Sequence, residues 1–382
     1  MNAIEILTGL VRIPSVNPCG RPPDAAGVFG EQRLAVHIAS LLDAIGIPSS
    51  IRPFGPDRCS LFATVAGRDQ SRRLLFNAHL DTVGIEGMTI DPFGAEIRDG
   101  RLYGRGAVDD KASVAALLLA LTRLHESGML PPSSIHVILS GDEEYGTLGT
   151  RGLVDEGYRA DACIMMEPTG LEIVVAHNGA ARWQIRTTGK AIHSSRAHEG
   201  VNAITRMGRI LSFIEETLNP ELAKRVHPRC GPPNVNVGVI SGGREHNTVP
   251  DSCEIVLLTR NTPATGSREF MDEVNARIRS FAEDQGIRIE ISDDVLITDG
   301  LDTQRDERVV RVAAQSLRSC GIIPKYAGKP YGTDSFLLTG VGVPTIVFGP
   351  GSDLECHTPD ESIDVTDVER AADVLSEIML RF

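Results

Sequence analysis

A chain of 382 residues is long for one hydrophobic core, so length alone predicts two domains. Hydrophobic residues at 41% and charged residues at 23% describe an ordinary globular composition, while aromatics at 4% require a mainly aliphatic core. A net charge of −13 argues against nucleic acid and anionic membranes as partners, because both would repel it.

The opening Met1-Asn-Ala-Ile-Glu-Ile-Leu has no basic segment and carries Glu5 within its apolar stretch. It reads as the start of an amphipathic helix and not as a signal peptide. Residues 31–45 show helical apolar spacing and stop at Gly46. Strands are expected at 60–66 and 73–79, then a helix over 111–126. The longest apolar run, 114–121, is too short to span a bilayer, so a soluble cytoplasmic protein is expected. Further aliphatic strands are expected at 135–139 and 162–166. Strands alternating with helices predict an α/β domain whose mostly parallel sheet is covered by helices on both faces.

The middle of the chain follows another pattern. A strand at 183–187, a helix at 202–218, strands at 234–240 and 253–260, a helix at 267–284 and a strand at 287–291 give the order βαββαβ. That order predicts a ferredoxin-like α+β unit. The α/β pattern then resumes with a helix at 306–319, a strand at 345–348 and a helix at 366–380. The expectation is one domain made of residues 1–178 and 293–382, interrupted by an insertion over 179–292. Seven cysteines, odd in number and without a Cys-x-x-Cys pair, suggest free thiols in a reducing compartment. Cys356 adjoins His357 and is read as its chance neighbour.

Five segments share one layout, in which an aliphatic or glycine-rich run leads into His, Asp or Glu. They are Leu74-Leu-Phe-Asn-Ala-His79-Leu-Asp81, Tyr103-Gly-Arg-Gly-Ala-Val-Asp109, His136-Val-Ile-Leu-Ser-Gly-Asp-Glu143-Glu144, Ile164-Met-Met-Glu167-Pro, and the stretch from Val347-Phe-Gly-Pro-Gly to His357. Ligand sites in open α/β sheets lie beyond the carboxyl ends of the strands, so all five can meet in one crevice. Two imidazoles with several carboxylates suit Zn²⁺ and tolerate Co²⁺ or Mn²⁺. A two-cation site needs a bridging carboxylate, and Asp109 is the candidate; it is also placed to cap the helix that starts near Lys111. The side chains of Glu143 and Glu144 diverge, so one can bind a cation and the other serve as general base. Asp81, two residues from His79 on the same strand face, can hold the imidazole nitrogen that binds no cation.

These residues resemble the M20 metallopeptidase and amidohydrolase family, the group of acetylornithine deacetylase, succinyl-diaminopimelate desuccinylase, aminoacylase and glutamate carboxypeptidase. The resemblance runs nearly end to end. It rests on His79-Leu-Asp81-Thr-Val, Asp91-Pro-Phe, Leu102-Tyr-Gly-Arg-Gly-Ala-Val-Asp109-Asp-Lys, Asp142-Glu143-Glu144, Glu167-Pro-Thr, and Gly349-Pro-Gly with His357-Thr-Pro-Asp-Glu361. It implies two divalent cations, one on His79 and Glu167, the other on Glu144 and His357, with Asp109 between them. It further implies Glu143 as general base and acid, Asp81 as the orienter of His79, and a lid that also forms a homodimer. In the lid, His193 would stabilise the oxyanion, often across the dimer, while Asn247 and Arg260 would contact substrate. Thr333 would meet the substrate carboxylate from the catalytic domain.

Some positions depart from the family pattern. Asp110 replaces a usual Met, Ala112-Ser113 replace Gly-Gly, no Trp precedes Asp91, and Leu258 stands where Asp is frequent. Glu167 tilts the resemblance toward deacylases and carboxypeptidases. His177-Asn-Gly-Ala in place of Arg-Arg-Gly-Ser weakens a desuccinylase assignment. The implied activity is hydrolysis of N-acyl amino acids, with a dipeptidase or glutamate-carboxypeptidase-like exopeptidase as the alternative.

Overall fold

Alternation along the strand Asp69–His79 separates the two faces of the main sheet. Leu74, Phe76 and Ala78 join a buried aliphatic cluster, whereas Leu75, Asn77 and His79 face the opposite way. On that second side Asn77 Nδ2 donates to Thr150 Oγ1 of the helix Leu148–Asp155 at 3.0 Å. A computed structural model describes residues 2–21 and 27–382, so Met1 of the expected opening helix lies outside the described residues. The chain divides into two units, one of Met1–Val175, Thr303–Ala327 and Thr333–Phe382, the other of Ala176–Asp302 and Gly328–Gly332.

In the first unit Asp69–His79 pairs in parallel with Ser133–Ser140 and Ala162–Met165, and Thr345–Val347 pairs in parallel with Ala162–Met165. Antiparallel strands flank this centre, with Arg58–Val65 and Ser49–Gly55 on one side and Ile173–His177 on the other. One face packs against Ala3–Val11, Gln32–Ala44, Lys111–Ser127, Arg308–Ser319 and Val365–Arg381; Leu148–Asp155 and Ser335–Thr339 lie on the other. Lys111–Ser127 is buried around most of its circumference, because it lies against Asp69–His79, Ala3–Val11 and Val365–Arg381. A small sheet of Glu96–Arg98, Arg101–Tyr103 and Ser362–Asp364 completes the unit. With the central strands parallel, the loops after His79, Ser140, Met165 and Val347 emerge at one edge of the sheet.

The second unit is an antiparallel sheet in which Gly179–Thr188 pairs with Ser252–Asn261, and Ser252–Asn261 pairs with Asn234–Gly242. The helices Ala203–Phe213 and Ser267–Asp284 contribute Met207, Ile210, Phe270 and Ile278 to a core that also holds Trp183 and Leu257. The expected boundaries at 178/179 and 292/293 move outward. Ile289–Ile291 pairs with one end of Gly179–Thr188, and Leu296–Thr298 pairs with residues 180–182 of the same strand. Backbone hydrogen bonding therefore keeps the chain in this unit past 293. In the same way Asn178 N–H donates to the Lys329 carbonyl, tying in a short segment from late in the chain. All seven cysteines are free thiols. Among the described residues, no helix is long and apolar enough to cross a membrane.

Candidate metal centre

The parallel strands deliver the sequence-selected residues to one place in the first unit. His79 ends its strand, Glu143 and Glu144 follow Ser133–Ser140, Glu167 follows Ala162–Met165, and His357 lies beyond Thr345–Val347. Asp109 lies in the loop between Arg101–Tyr103 and Lys111–Ser127. That loop turns at Gly106, φ +83°, where a Cβ would come within 2.9 Å of Thr82 Cγ2 and 3.0 Å of Lys111 Cδ. Only glycine fits so close a turn.

Donor atoms of His79, Asp109 and Glu167 lie within 4.8 Å of one another, and so do those of Asp109, Glu144 and His357. Asp109 is common to both groups. Its Oδ1 lies 2.9 Å from His79 Nε2 and its Oδ2 3.1 Å from His357 Nε2, so each oxygen serves a different imidazole. His357 Nε2 is also 3.2 Å from Glu144 Oε1. Glu143 belongs to neither group. Two clusters of imidazole and carboxylate donors joined through one carboxylate fit a pair of borderline divalent cations.

The charges reflect this crowding. Burial, then the neighbouring Asp334, pushes the Glu143 carboxyl well above its usual range. Burial likewise raises Glu167, with Glu143 adding to it, and raises Glu144, with Asp109 adding to it. Burial works against protonation of His79, yet hydrogen bonding to Asp109 and the charges of Glu167 and Asp110 lift it well above an ordinary histidine. Hydrogen bonds to Asp109 and Glu144 push His357 up to about 10. Asp109 is pulled below the carboxylate range by these two imidazoles despite its burial. A cation here would compete with protons for the same donor atoms.

Asp81 does more than its spacing indicated. His79 Nδ1–H donates to the Asp81 backbone carbonyl at 2.8 Å, which leaves Nε2, facing Asp109, as the nitrogen available to a cation. The Asp81 carboxylate stands 3.8 Å from Nδ1 and is engaged elsewhere. It accepts the backbone N–H of Glu143 and of Glu144, each at 3.1 Å, and Asn17 Nδ2 at 2.7 Å. Glu361 has the same relation to Asp109. It pairs with Arg105 and accepts the N–H of Val108 at 2.8 Å and of Asp109 at 3.1 Å. The cap of Lys111–Ser127 is Asp110 and not Asp109. Asp110, in the place of a family Met, accepts the His79 N–H at 3.2 Å. Burial and then Asp109 raise the Cys356 thiol, whose Sγ–H donates to the Ser352 carbonyl at 3.8 Å, and Cys356 belongs to neither donor group. Sequence reasoning missed Asn17 and saw Arg105 and Glu361 only as motif members, since nothing in the string shows that these polar residues are buried.

Thr333 is buried in the first unit, where its hydroxyl donates to Ser335 Oγ at 2.9 Å. His193, Asn247 and Arg260 belong to the second unit. There Ser195 N–H donates to His193 Nδ1 at 3.2 Å, so in the neutral ring the proton sits on Nε2. Ser194 N–H donates to the Asn247 carbonyl at 2.8 Å, bringing those two segments together. Arg260 lies on Ser252–Asn261, where burial lowers its affinity for its proton.

Residues 75–381 match the model of Peptidase family M20/M25/M40, and the chain belongs to that family. It is a hydrolase of the deacylase and peptidase type found there. Acetylornithine deacetylase of Myxococcus xanthus is 31% identical over 350 residues, covering 89% of this chain and 90% of that protein. The fold is similar to aminopeptidase PepT from Bacillus cereus ATCC 10987, with TM-score 0.79, 22% identity, and coverage of 100% and 98%. It is also similar to the YXEP protein of Bacillus subtilis, described as a dinuclear metal binding peptidase, with TM-score 0.71, 18% identity, and coverage of 99% and 96%.

Proposed function

We propose that this protein is a two-cation amidohydrolase that releases the free amino acid from an N-acyl amino acid, in the manner of an acetylornithine deacetylase. The observation that carries the reading is Asp109, whose two oxygens join the His79–Glu167 group to the Glu144–His357 group while Glu143 stays outside both. Those five residues would hold the cations. When bound, Zn²⁺, or Co²⁺ or Mn²⁺ by the same donor chemistry, would polarise the amide carbonyl and acidify the attacking water.

The chain's own residues supply the remaining chemistry. Glu143 takes the water proton as the new C–O bond forms and returns it to the nitrogen as the C–N bond breaks. Its raised proton affinity suits both halves of that task. His193 donates Nε2–H to the oxyanion, an interaction of a kind typically contributing about 10²–10³ in rate. Arg260 is read as the bidentate partner of the substrate carboxylate, with Asn247 and Thr333 as further contacts. The second unit is read as a lid and dimerisation domain. Its edge strand Asn234–Gly242, with Val239 and Ile240 exposed, supports that reading. The residue span of the catalytic domain is taken to be that of the first unit.

The test is a panel of N-acetyl, N-succinyl and N-formyl amino acids and dipeptides, run on metal-stripped enzyme reloaded with each cation. Glu143→Ala should bind the cations as before and lose at least about 10³ in kcat, the scale of general acid–base catalysis plus orientation. Near-normal turnover in that variant overturns the mechanism. Cleavage of dipeptides in preference to N-acyl amino acids moves the assignment to an exopeptidase.

A further inference from the structure

Behind the metal centre a chain of buried polar groups leads away from the Glu143–Glu144 turn and ends on charges that touch no candidate ligand. Asn17 Nδ2 donates to Asp81 Oδ2 at 2.7 Å and to Asp142 Oδ1 at 3.1 Å, linking the two carboxylates. Arg58 Nη2 donates to the same Asp142 oxygen at 2.7 Å, and Arg58 Nε donates to both oxygens of Glu31, at 2.9 and 3.1 Å. Glu31, Asn17 and Asp81 are fully buried, and the Arg58 side chain is only 13% exposed.

Close packing keeps the chain in one arrangement. Gly141, at the start of the turn, lets Glu31 approach, since a Cβ there would lie 3.0 Å from Glu31 Cδ and 2.5 Å from the Cys59 carbonyl oxygen. Asp142 has φ +71°, a left-handed conformation that its tie to Arg58 and Asn17 helps to hold. Asn17 is itself anchored through its backbone N–H on the Thr82 carbonyl at 2.8 Å. One guanidinium thus serves two carboxylates, and one amide serves two. Removing either leaves buried acceptors uncompensated.

We propose that Glu31, Arg58, Asp142 and Asn17 form a positioning network that, through Asp81, fixes the backbone of the Glu143–Glu144 turn and so sets where the general base stands. None of the four touches substrate or cation in this scheme, so they act on turnover through Glu143. The proposal rests on the amidohydrolase reading for its kinetic arm only.

The first measurement is hydrogen exchange of the metal-free enzyme. Asn17→Ala and Arg58→Met should speed exchange in the peptide spanning 141–147 by about tenfold or more, with Ser133–Ser140 unchanged. The second uses the metal-loaded enzyme and N-acetyl-L-ornithine. Asn17→Ala should lower kcat by about 10–100-fold with KM nearly constant, the cost of misplacing a catalytic group by a fraction of an ångström to an ångström. Arg58→Met should lower kcat likewise and Arg58→Lys by less, and the lysine variant remains readable if Arg58→Met does not fold. In a Glu143→Ala background, Asn17→Ala should cost nothing further, because residues acting as a unit are not additive.

Unchanged exchange at 141–147 overturns the network. So does a loss of kcat that persists undiminished in the Glu143→Ala background, or a rise in KM in its place. Failure of the wild-type enzyme to hydrolyse any amide overturns the proposed function instead, and the exchange measurement still decides the network.

Discussion

Replacing Glu361 by glutamine keeps the shape of the side chain and removes one charge from the floor of the metal centre. Glu361 is fully buried, pairs with an Arg105 side chain that is 4% exposed, and accepts the N–H groups of Val108 and Asp109. The glutamine carbonyl can still accept those two donors, so most of the loss comes from leaving Arg105 buried without its counter-charge. Breaking one partner of a buried pair costs about 3–5 kcal/mol. Against a total stability of about 5–15 kcal/mol, the variant should fold but unfold at clearly lower urea. Its cation affinity should drop as well, since the Asp109 N–H then rests on a neutral amide oxygen, a weaker acceptor than a carboxylate. The assay is urea denaturation of the metal-free protein at pH 8, with cation content measured after dialysis. A double variant, Arg105→Met with Glu361→Gln, should recover much of the stability, because it removes the uncompensated charge while the glutamine carbonyl still accepts both N–H groups, but it should not recover cation affinity. A Glu361→Gln protein within about 1 kcal/mol of the wild type would refute the reasoning, as surface substitutions typically fall in that range.

Loading chelator-stripped enzyme with Zn²⁺ should release protons and raise the thermal midpoint. Calorimetry in two buffers of different ionisation enthalpy checks the first and a melting scan the second. His177, fully buried with its Nδ1 bonded to the Asn178 carbonyl, is lowered by burial to about 4. Its unfolded form binds the proton first, so stability should fall between about pH 6.5 and 4, by up to about 3 kcal/mol. A His177→Gln variant should lose less across that window in urea titrations. Phe76→Ala, at a fully buried position on the central strand, should cost about 3–5 kcal/mol with KM unchanged in whatever folds, read from denaturation and steady-state kinetics. If His193 acts across a dimer, mixing inactive Glu143→Ala and His193→Ala proteins should restore activity after subunit exchange; no recovery in mixed, exchanged dimers would place His193 in the same chain as its Glu143.

Much of this protein is written in its local pattern. Aliphatic runs ending in His79, Glu167 or the Glu143–Glu144 pair mark both the parallel strands and the end of the sheet where chemistry gathers, because one periodicity controls both. The residues that gather there were legible for the same reason, since five segments each lead into His, Asp or Glu, while their expected roles came from the family resemblance. Three things were not legible. The insertion boundary depended on which strand Leu296–Thr298 would pair with, a long-range hydrogen-bonding choice that composition does not record. The division of work within Asp81, carbonyl to His79 and carboxylate to the 143–144 turn, depended on a backbone path and not on spacing. Asn17 and Arg58 look like ordinary surface residues in the string, and Arg105 and Glu361 stand out only as motif members; only tertiary packing buries them, and burial is what turns a polar side chain into a fixed support for its neighbours.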